Sequence, residues 1–203
     1  MKKICVLLAL IAWFQSAAQD KERIETKGYI GLTMGPAIPL GNFASNDFNN
    51  EKSGLAKTGV NLTLINFGYR FGKHFGVSAA WLGAAHAVET EGMVFQSSNP
   101  WSYGSLLAGG LYSKNIGTSF FDGRFMIGYA VTSNPDLNYL LETESTTSFA
   151  YIAGIGIRPR IGNRFTLNFT ADFFHTKPSF EENNFEQSIS SLFINGGFCY
   201  LLK

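Results

Sequence analysis

Residues 120–132 run Phe120-Phe121-Asp122-Gly123-Arg124-Phe125-Met126-Ile127-Gly128-Tyr129-Ala130-Val131-Thr132, and the parity of this stretch decides the fold. Phe121, Gly123, Phe125, Ile127, Tyr129 and Val131 make one set; Asp122, Arg124, Met126, Gly128, Ala130 and Thr132 make the other. Period-2 spacing places the two sets on opposite faces of a strand, whereas a helix would scatter the aromatic residues around its circumference. The segment that follows repeats the pattern, with Phe149, Tyr151, Ala153, Ile155 and Ile157 against Ser148, Ala150, Gly154, Gly156 and Arg158. So does the next, with Phe165, Leu167, Phe169, Ala171 and Phe173 against Thr166, Asn168, Thr170 and Asp172.

Upstream, Phe75, Val77, Ala79 and Trp81 alternate with Gly76, Ser78, Ala80 and Leu82. The segment before it starts with Val60, Leu62 and Leu64 on one face and changes phase at Ile65, Phe67 and Tyr69, which predicts a β-bulge near Leu64–Asn66. The first segment, Tyr29–Ile38, contains Pro36. A closed barrel has no free edge to accept proline, so Pro36 is expected near the rim where pairing ends.

Eight alternating segments between Lys27 and Lys203 are joined by connections that alternate long and short. The long ones fall near Gly41–Ala56, Glu89–Pro100, Asn134–Ser145 and Pro178–Ser188, the short ones near Gly72–His74, Lys114–Ser119 and Gly162–Asn163. Strands of roughly ten to fourteen residues suffice to cross a bilayer when tilted. The predicted fold is therefore all-β: an eight-stranded, antiparallel, up-and-down transmembrane β-barrel. An even strand number puts both termini on the short-turn side, which in a bacterial outer membrane is the periplasm.

The ends and the composition agree. Lys2 and Lys3, an apolar run from Ile4 to Phe14 and Ser16-Ala17-Ala18 read as an export signal over residues 1–18. Residues 19–26 then form a short periplasmic segment and 27–203 the barrel. Loss of Lys2 and Lys3 leaves fourteen bases against fifteen acids, a balance that argues against a nucleic-acid partner. Cys199 is the one cysteine after the signal, so an intrachain disulfide is excluded. The 19 Phe, 8 Tyr and 22 Gly of the chain suit strands that show every second residue to lipid.

Charge is sided. Asp47, Glu51, Glu89, Glu91, Asp136, Glu142, Glu144, Glu181, Glu182 and Glu186 lie in the long links, with Lys52, Lys57 and Lys177 at their edges. Arg70, Lys73, Lys114, Arg158, Arg160 and Arg164 lie towards the other end. Parity turns Asp122, Arg124, Arg158, Asp172, Arg160 and Asn168 inward. An eight-stranded lumen is just wide enough for side chains to fill it, and buried charges there must be paired. Asp122 and Arg158, on neighbouring strands at similar depth, are the expected pair. The inward cluster of Asp122, Arg124, Arg158 and Asp172 reads as a structural polar plug or as the lining of a narrow conducting path.

The final segment, Asn195-Gly196-Gly197-Phe198-Cys199-Tyr200-Leu201-Leu202, matches the C-terminal insertion pattern of outer-membrane barrels at Asn195, Gly197, Tyr200 and Leu202, although Lys203 follows in place of a terminal aromatic. Together with the eight-segment meander and Gly28-Tyr29-Ile30-Gly31-Leu32-Thr33, residues 27–203 resemble small porin-family outer-membrane barrels of the OmpX/OmpA-barrel type. The resemblance implies a bacterial outer-membrane location among lipid and lipopolysaccharide, delivery by periplasmic chaperones and insertion by the barrel-assembly machinery. It implies location more firmly than function, because such barrels share little chemistry.

Chemical candidates are few. Lipid A deacylases of this architecture use a His with Ser and an acid, but His175-Thr176-Lys177 lacks their His-any-Ser-Asn arrangement, and Asp172 and His175 face opposite sides of one strand. His74, His86 and His175 lie on different segments, and the spacing supports no metal site. Gly154-Ile155-Gly156 has no following helix to make a phosphate loop. No catalytic residue, cofactor or metal is expected. The loop aromatics Phe43, Phe48, Tyr139, Phe180 and Phe185, with the neighbouring Leu140 and Leu141, suit either surface recognition or packing on the barrel mouth. The expected role is structural or surface-interacting, through the acidic loops, with a small pore or ligand conduit as runner-up. A soluble lipocalin-like barrel is the remaining alternative, and it requires Phe125, Ile127, Phe169 and Phe173 to point inward.

Overall fold

The computed structural model describes residues 26–47, 49–50, 52–90, 99–136, 143–181 and 185–203. The export signal, most of the segment 19–26, and Phe48, Glu51, Glu91, Tyr139, Leu140, Leu141, Glu142 and Glu182 lie outside the described residues. Strands β1 (Gly28–Leu40), β2 (Gly59–Arg70), β3 (Phe75–His86), β4 (Trp101–Ile116), β5 (Ser119–Ser133), β6 (Ser145–Pro159), β7 (Phe165–Thr176) and β10 (Ile189–Leu202) close into one barrel. Two short strands, β8 (Ser179–Phe180) and β9 (Phe185–Glu186), pair as a hairpin in the last long connection. Every neighbour in the barrel is antiparallel, and β1 seals against β10 from Gly28↔Leu202 to Leu40↔Ser190. No helix among the described residues is long and apolar enough to cross a membrane; the chain spans with strands.

Period-2 alternation carries directly into inside and outside. Phe125 is 55% exposed and Phe169 47%, while Met126 and Asp172, one and three residues further on, are sealed within the barrel. Ile127 is likewise exposed and Phe173 half-exposed. The lipocalin-like arrangement is thereby ruled out, since it needs these side chains inside. An apolar exterior wall of this kind is stable only against lipid.

The phase change in β2 is resolved by a bulge. Pairing with β3 shifts between Thr63 and Ile65, and Leu64 and Ile65 both point outward, 51% and 40% exposed. Two apolar side chains in succession thus reach lipid, and Asn66 returns to the lumen.

Pro36 departs from expectation. It sits inside β1, four residues before the strand ends, not where pairing stops on both sides. The ladder to β10 breaks between Met34↔Gly196 and Ala37↔Phe193 and then runs on to Leu40. Proline has no N–H to donate, so a local gap in one ladder accommodates it; on the β2 side pairing ends one residue later, at Ala37↔Gly59. Strands β4, β5 and β6 are also longer than expected, at 16, 15 and 15 residues. The β4–β5 turn leaves just Gly117 and Thr118 outside the strands, and Gly117, at φ +62°, takes the first turn position that a two-residue hairpin of type II′ reserves for glycine.

Candidate functional site: the lumen and its two ends

Following β5 inward-facing residues from turn to loop gives Phe120, Asp122, Arg124, Met126, Gly128, Ala130 and Thr132. The first belongs to a small apolar cluster with Tyr29, Leu111, Cys199 and Leu201. Met126 and Ala130 belong to a larger one with Leu82, Leu107, Ile152, Phe174 and Phe193. The charged residues fall between the two.

Arg158 donates through Nε to Asp122 Oδ2 and through Nη2 to Oδ1 at 3.1 Å. Its guanidinium lies 3.7 Å from the Tyr29 ring centroid and 4.8 Å from that of Phe120, so the turn-side cluster supplies cation–π support for a cation removed from water. In the ladder Asp122 faces Gly156 and Arg158 faces Phe120, which makes the pair diagonal neighbours on adjacent strands. Arg124 binds Asp172 as a fork: Nε to Oδ1 at 2.8 Å and Nη2 to Oδ2 at 2.7 Å, with Nη1 to Asn66 Oδ1 at 2.8 Å. Both partners are buried, and two parallel N–H···O bonds are the strongest way to hold a carboxylate there.

The Arg124–Asp172 pair spans three strands in a straight row. Arg124 faces Gly154, and Gly154 faces Asp172. A Cβ on Gly154 would lie 1.8 Å from Asp172 Oδ1, so the pair exists because the middle strand has no side chain at that point. Parity put both charges inside but could not join them, since they lie on strands that are not neighbours; the inward glycine between them was the available signal.

Around these pairs the lumen is polar. Of nine buried side-chain atoms among the described residues that have no partner in the protein, Thr33 Oγ1, Asn66 Nδ2, Thr166 Oγ1, Asn168 Nδ2, Thr170 Oγ1 and Asn195 Oδ1 lie in this turn-side half, and Asn61 Oδ1, Ser105 Oγ and Thr132 Oγ1 lie nearer the loops. Such atoms cost about 1–3 kcal/mol each unless internal water satisfies them.

The loop-side mouth is capped. A 3-10 turn, Gly41–Ala44, carries Phe43 into the barrel, where its ring meets His86 and Trp101 edge-on at 5.0 and 5.8 Å. Trp101 Nε1 donates to Gly54 O at 2.7 Å, and Gln187 Nε2 donates to Lys52 O at 3.2 Å, tying the first long loop to β4 and to the last connection. Phe180 and Phe185 of the β8–β9 hairpin stack at 5.0 Å over Trp101. Phe43 and Phe180 are thus packed on the mouth, sealed from solvent. Beneath them His86 Nδ1 lies 3.0 Å from Lys57 O, and Nε2 lies 3.1 Å from the Tyr103 hydroxyl, which donates to Ser191 Oγ at 3.0 Å. This buried network escaped the sequence reading, although even parity in β3 and odd parity in β4 and β10 turn all three residues inward. Ser191 Oγ also lies 3.5 Å from His86 Nε2, so the three side chains contact one another, and with the Lys57 carbonyl on the other side of the imidazole the network fastens the first long loop to the barrel mouth.

The remaining residues singled out in the sequence are placed as follows. Asn195 and Gly197 face the lumen, Gly197 directly against the Leu32–Thr33 backbone. Tyr200 faces outward, and its hydroxyl accepts from Arg164 Nη1 at 2.9 Å. Leu202 pairs with Gly28 at the seam. His175 lies on the outer face near the loop end, beside Tyr151 and Phe173, with Nδ1 2.9 Å from Ser190 Oγ; Asp172 is on the other face. No group of three or more potential metal ligands occurs among the described residues.

A closed eight-stranded barrel with a lipid-facing apolar wall and an ion-paired lumen is a small integral barrel of the outer membrane. Residues 5–197 match the family described as the outer membrane protein beta-barrel domain, and the chain belongs to that family. Among solved structures it is similar to Neisserial surface protein A, at 12% identity over 85% of this chain and 96% of that one, with a TM-score of 0.59. It is also similar to OprG from Pseudomonas aeruginosa, at 13% identity, 90% and 99% coverage and a TM-score of 0.49. A third is Ail, the attachment invasion locus protein of Yersinia pestis, at 14% identity, 85% and 99% coverage and a TM-score of 0.49. At 12% identity the likeness to Neisserial surface protein A establishes the fold alone. No curated protein matches the chain.

Proposed function

We propose that this outer-membrane barrel is a non-catalytic envelope protein whose lumen is a structural plug and whose acidic long loops, facing the cell exterior, provide its contact surface. The observation that carries this reading is the apolar block in the loop-side half of the lumen: Leu107, Met126, Ile152, Phe174 and Phe193 are sealed together under Phe43 and Trp101. A continuous polar path through such a block is unfavourable, so the loops, with Asp47, Asp136, Glu144, Glu181 and Glu186 in their described parts, are left as the functional face. On this reading both termini are periplasmic, lipopolysaccharide surrounds the loop end, and Asn195, Gly197, Tyr200 and Leu202 address the chain to the barrel-assembly machinery after chaperone delivery.

Single-channel recording of the refolded chain in a planar bilayer tests it. The expected result is silence while insertion is confirmed by protease protection of the strands. Discrete, reproducible current steps would overturn the plug and install the pore reading, which has one observation in its favour: the unpartnered polar atoms around the ion pairs suit a hydrated half-lumen.

A further inference from the structure

We propose that the turn end of the barrel binds acidic phospholipid headgroups of the surrounding membrane, with the cleft beside Arg164 holding a headgroup phosphate. The proposal rests on the reading above that this end meets the periplasmic leaflet, and it adds a partner at the end opposite the loops.

Three independent features converge there. The first is charge. Lys27, Lys73, Lys114, Arg164 and Lys203 are exposed at this end, and the one acidic side chain nearby among the described residues, Asp122, is inside the lumen and engaged by Arg158. The exposed acids of the described chain sit at the other end. The second is a cleft of about 230 Å³ between the β6–β7 turn and the end of β10, lined by Thr26, Asn163, Arg164, Tyr200, Leu202 and Lys203. Arg164 is steadied over it by its bond to the Tyr200 hydroxyl, which uses one of five guanidinium N–H donors. Tyr200 in turn packs edge-on against Phe165 at 5.5 Å on the outer wall, as an aromatic of the interfacial girdle does. The third is the turn tips. Apolar side chains stand out at each tight turn: Phe71 and Ile161 within the β2–β3 and β6–β7 turns, 74% and 44% exposed, and Ile116 at the end of β4, 52% exposed.

An apolar tip beside a lysine or arginine suits the boundary between headgroups and acyl chains, where the tip enters the apolar layer and the cation meets phosphate. A soluble anion accounts for the cations and leaves the three tips in water. A membrane lipid accounts for both. The arginine fork matches phosphate oxygens, and the ring of lysines raises the local concentration of acidic lipid over zwitterionic lipid.

The test uses the full chain refolded into vesicles containing a trace of spin-labelled phosphatidylglycerol or spin-labelled phosphatidylcholine. The motionally restricted fraction is read by electron spin resonance. The expected result is an association preference for phosphatidylglycerol of about threefold or more at low salt, falling towards unity at 1 M salt, where the screening length is about 3 Å. Arg164→Gln should remove most of the preference, and Lys73→Gln with Lys114→Gln should remove the remainder. Lys57→Gln, at the loop end, should leave it intact. Heat-modified gel mobility confirms that each variant is folded. Equal restriction of the two lipids overturns the proposal, as does a preference that survives all three turn-end changes. Loss of the preference in inorganic phosphate, but not in chloride of equal ionic strength, would assign the cleft to a free anion and overturn the lipid. Vesicles report on this end in either insertion direction, so protease access to the loops on intact cells tests orientation separately.

Discussion

Along β5 the inward side chains change from Asp122 and Arg124 to Met126 and Ala130 within eight residues, and β6, β7 and β10 change with it, from Arg158 to Ile152, Asp172 to Phe174 and Asn195 to Phe193. Just above the turn-end cluster of Tyr29, Leu111 and Phe120 the lumen holds two ion pairs and a set of hydroxyls and amides; towards the loops Leu107, Ile152, Phe174 and Phe193 fill it, with the His86–Tyr103–Ser191 network, under a cap of Phe43 and Trp101. Both halves are enclosed by the same strands. The polar half is held by direction, since each guanidinium must meet its carboxylate in plane. The apolar half is held by volume, since its side chains need only fill the space. A barrel with a continuously apolar lumen would present a strand pattern apolar on both faces. Confining the apolar stretch to one half preserves the alternation that tells inside from outside.

The largest expected effect comes from breaking the directed half. Asp172→Ala leaves the Arg124 cation buried with Asn66 Oδ1 as its remaining described acceptor, and it should destabilise the barrel by about 3–5 kcal/mol in urea unfolding from lipid vesicles. Combining Asp172→Leu with Arg124→Met should recover most of that loss, because the cost lies in the orphaned charge and not in the pair itself. A single substitution costing under about 1 kcal/mol would show that Arg124 reaches water, and the distinction between the halves would lose its physical basis.

How far this division could be read from the residues differs by link. Parity sorted inside from outside throughout β5, β6 and β7, because a strand with lipid on one side tolerates no slip. The change of phase at Leu64 and Ile65 announced the bulge. Depth was less legible. Asp122 and Arg158 lie on adjacent strands, each a few residues from a tight turn at the same rim, so counting residues from those turns brings them to similar depth. Arg124 and Asp172 are separated by β6, and their meeting depends on strand stagger and on the missing side chain of Gly154. The cap was the least legible: Phe43 and Phe180 lie in connections without periodicity, and a loop aromatic packed into the mouth has the same local sequence as one held out to a partner.

The apolar half supplies the next test. Leu107→Ala removes a sealed side chain from the block under the cap, and the rigid wall of paired strands cannot collapse into the space. A loss of about 3 kcal/mol in the same unfolding assay is expected. A loss under about 1 kcal/mol would mean that the block is loosely filled, and it would weaken the case for a barrel closed to ions.

The smallest effect decides the character of the polar half through its sign. Thr170 is buried on β7, and its Oγ1 has no partner in the protein. If internal water satisfies that hydroxyl, Thr170→Val breaks a water-mediated bond and costs about 1 kcal/mol; if the site is dry, the same change removes an unsatisfied polar atom and stabilises by about the same amount. The volume of the side chain barely changes, so packing does not confuse the reading. We expect the loss, because Asn195, the cross-strand partner of Thr170, has an unpartnered buried Oδ1 that offers the same water a second polar contact. A gain in stability would make the turn-side lumen as dry as the loop-side one, and the two halves would then differ in directionality alone.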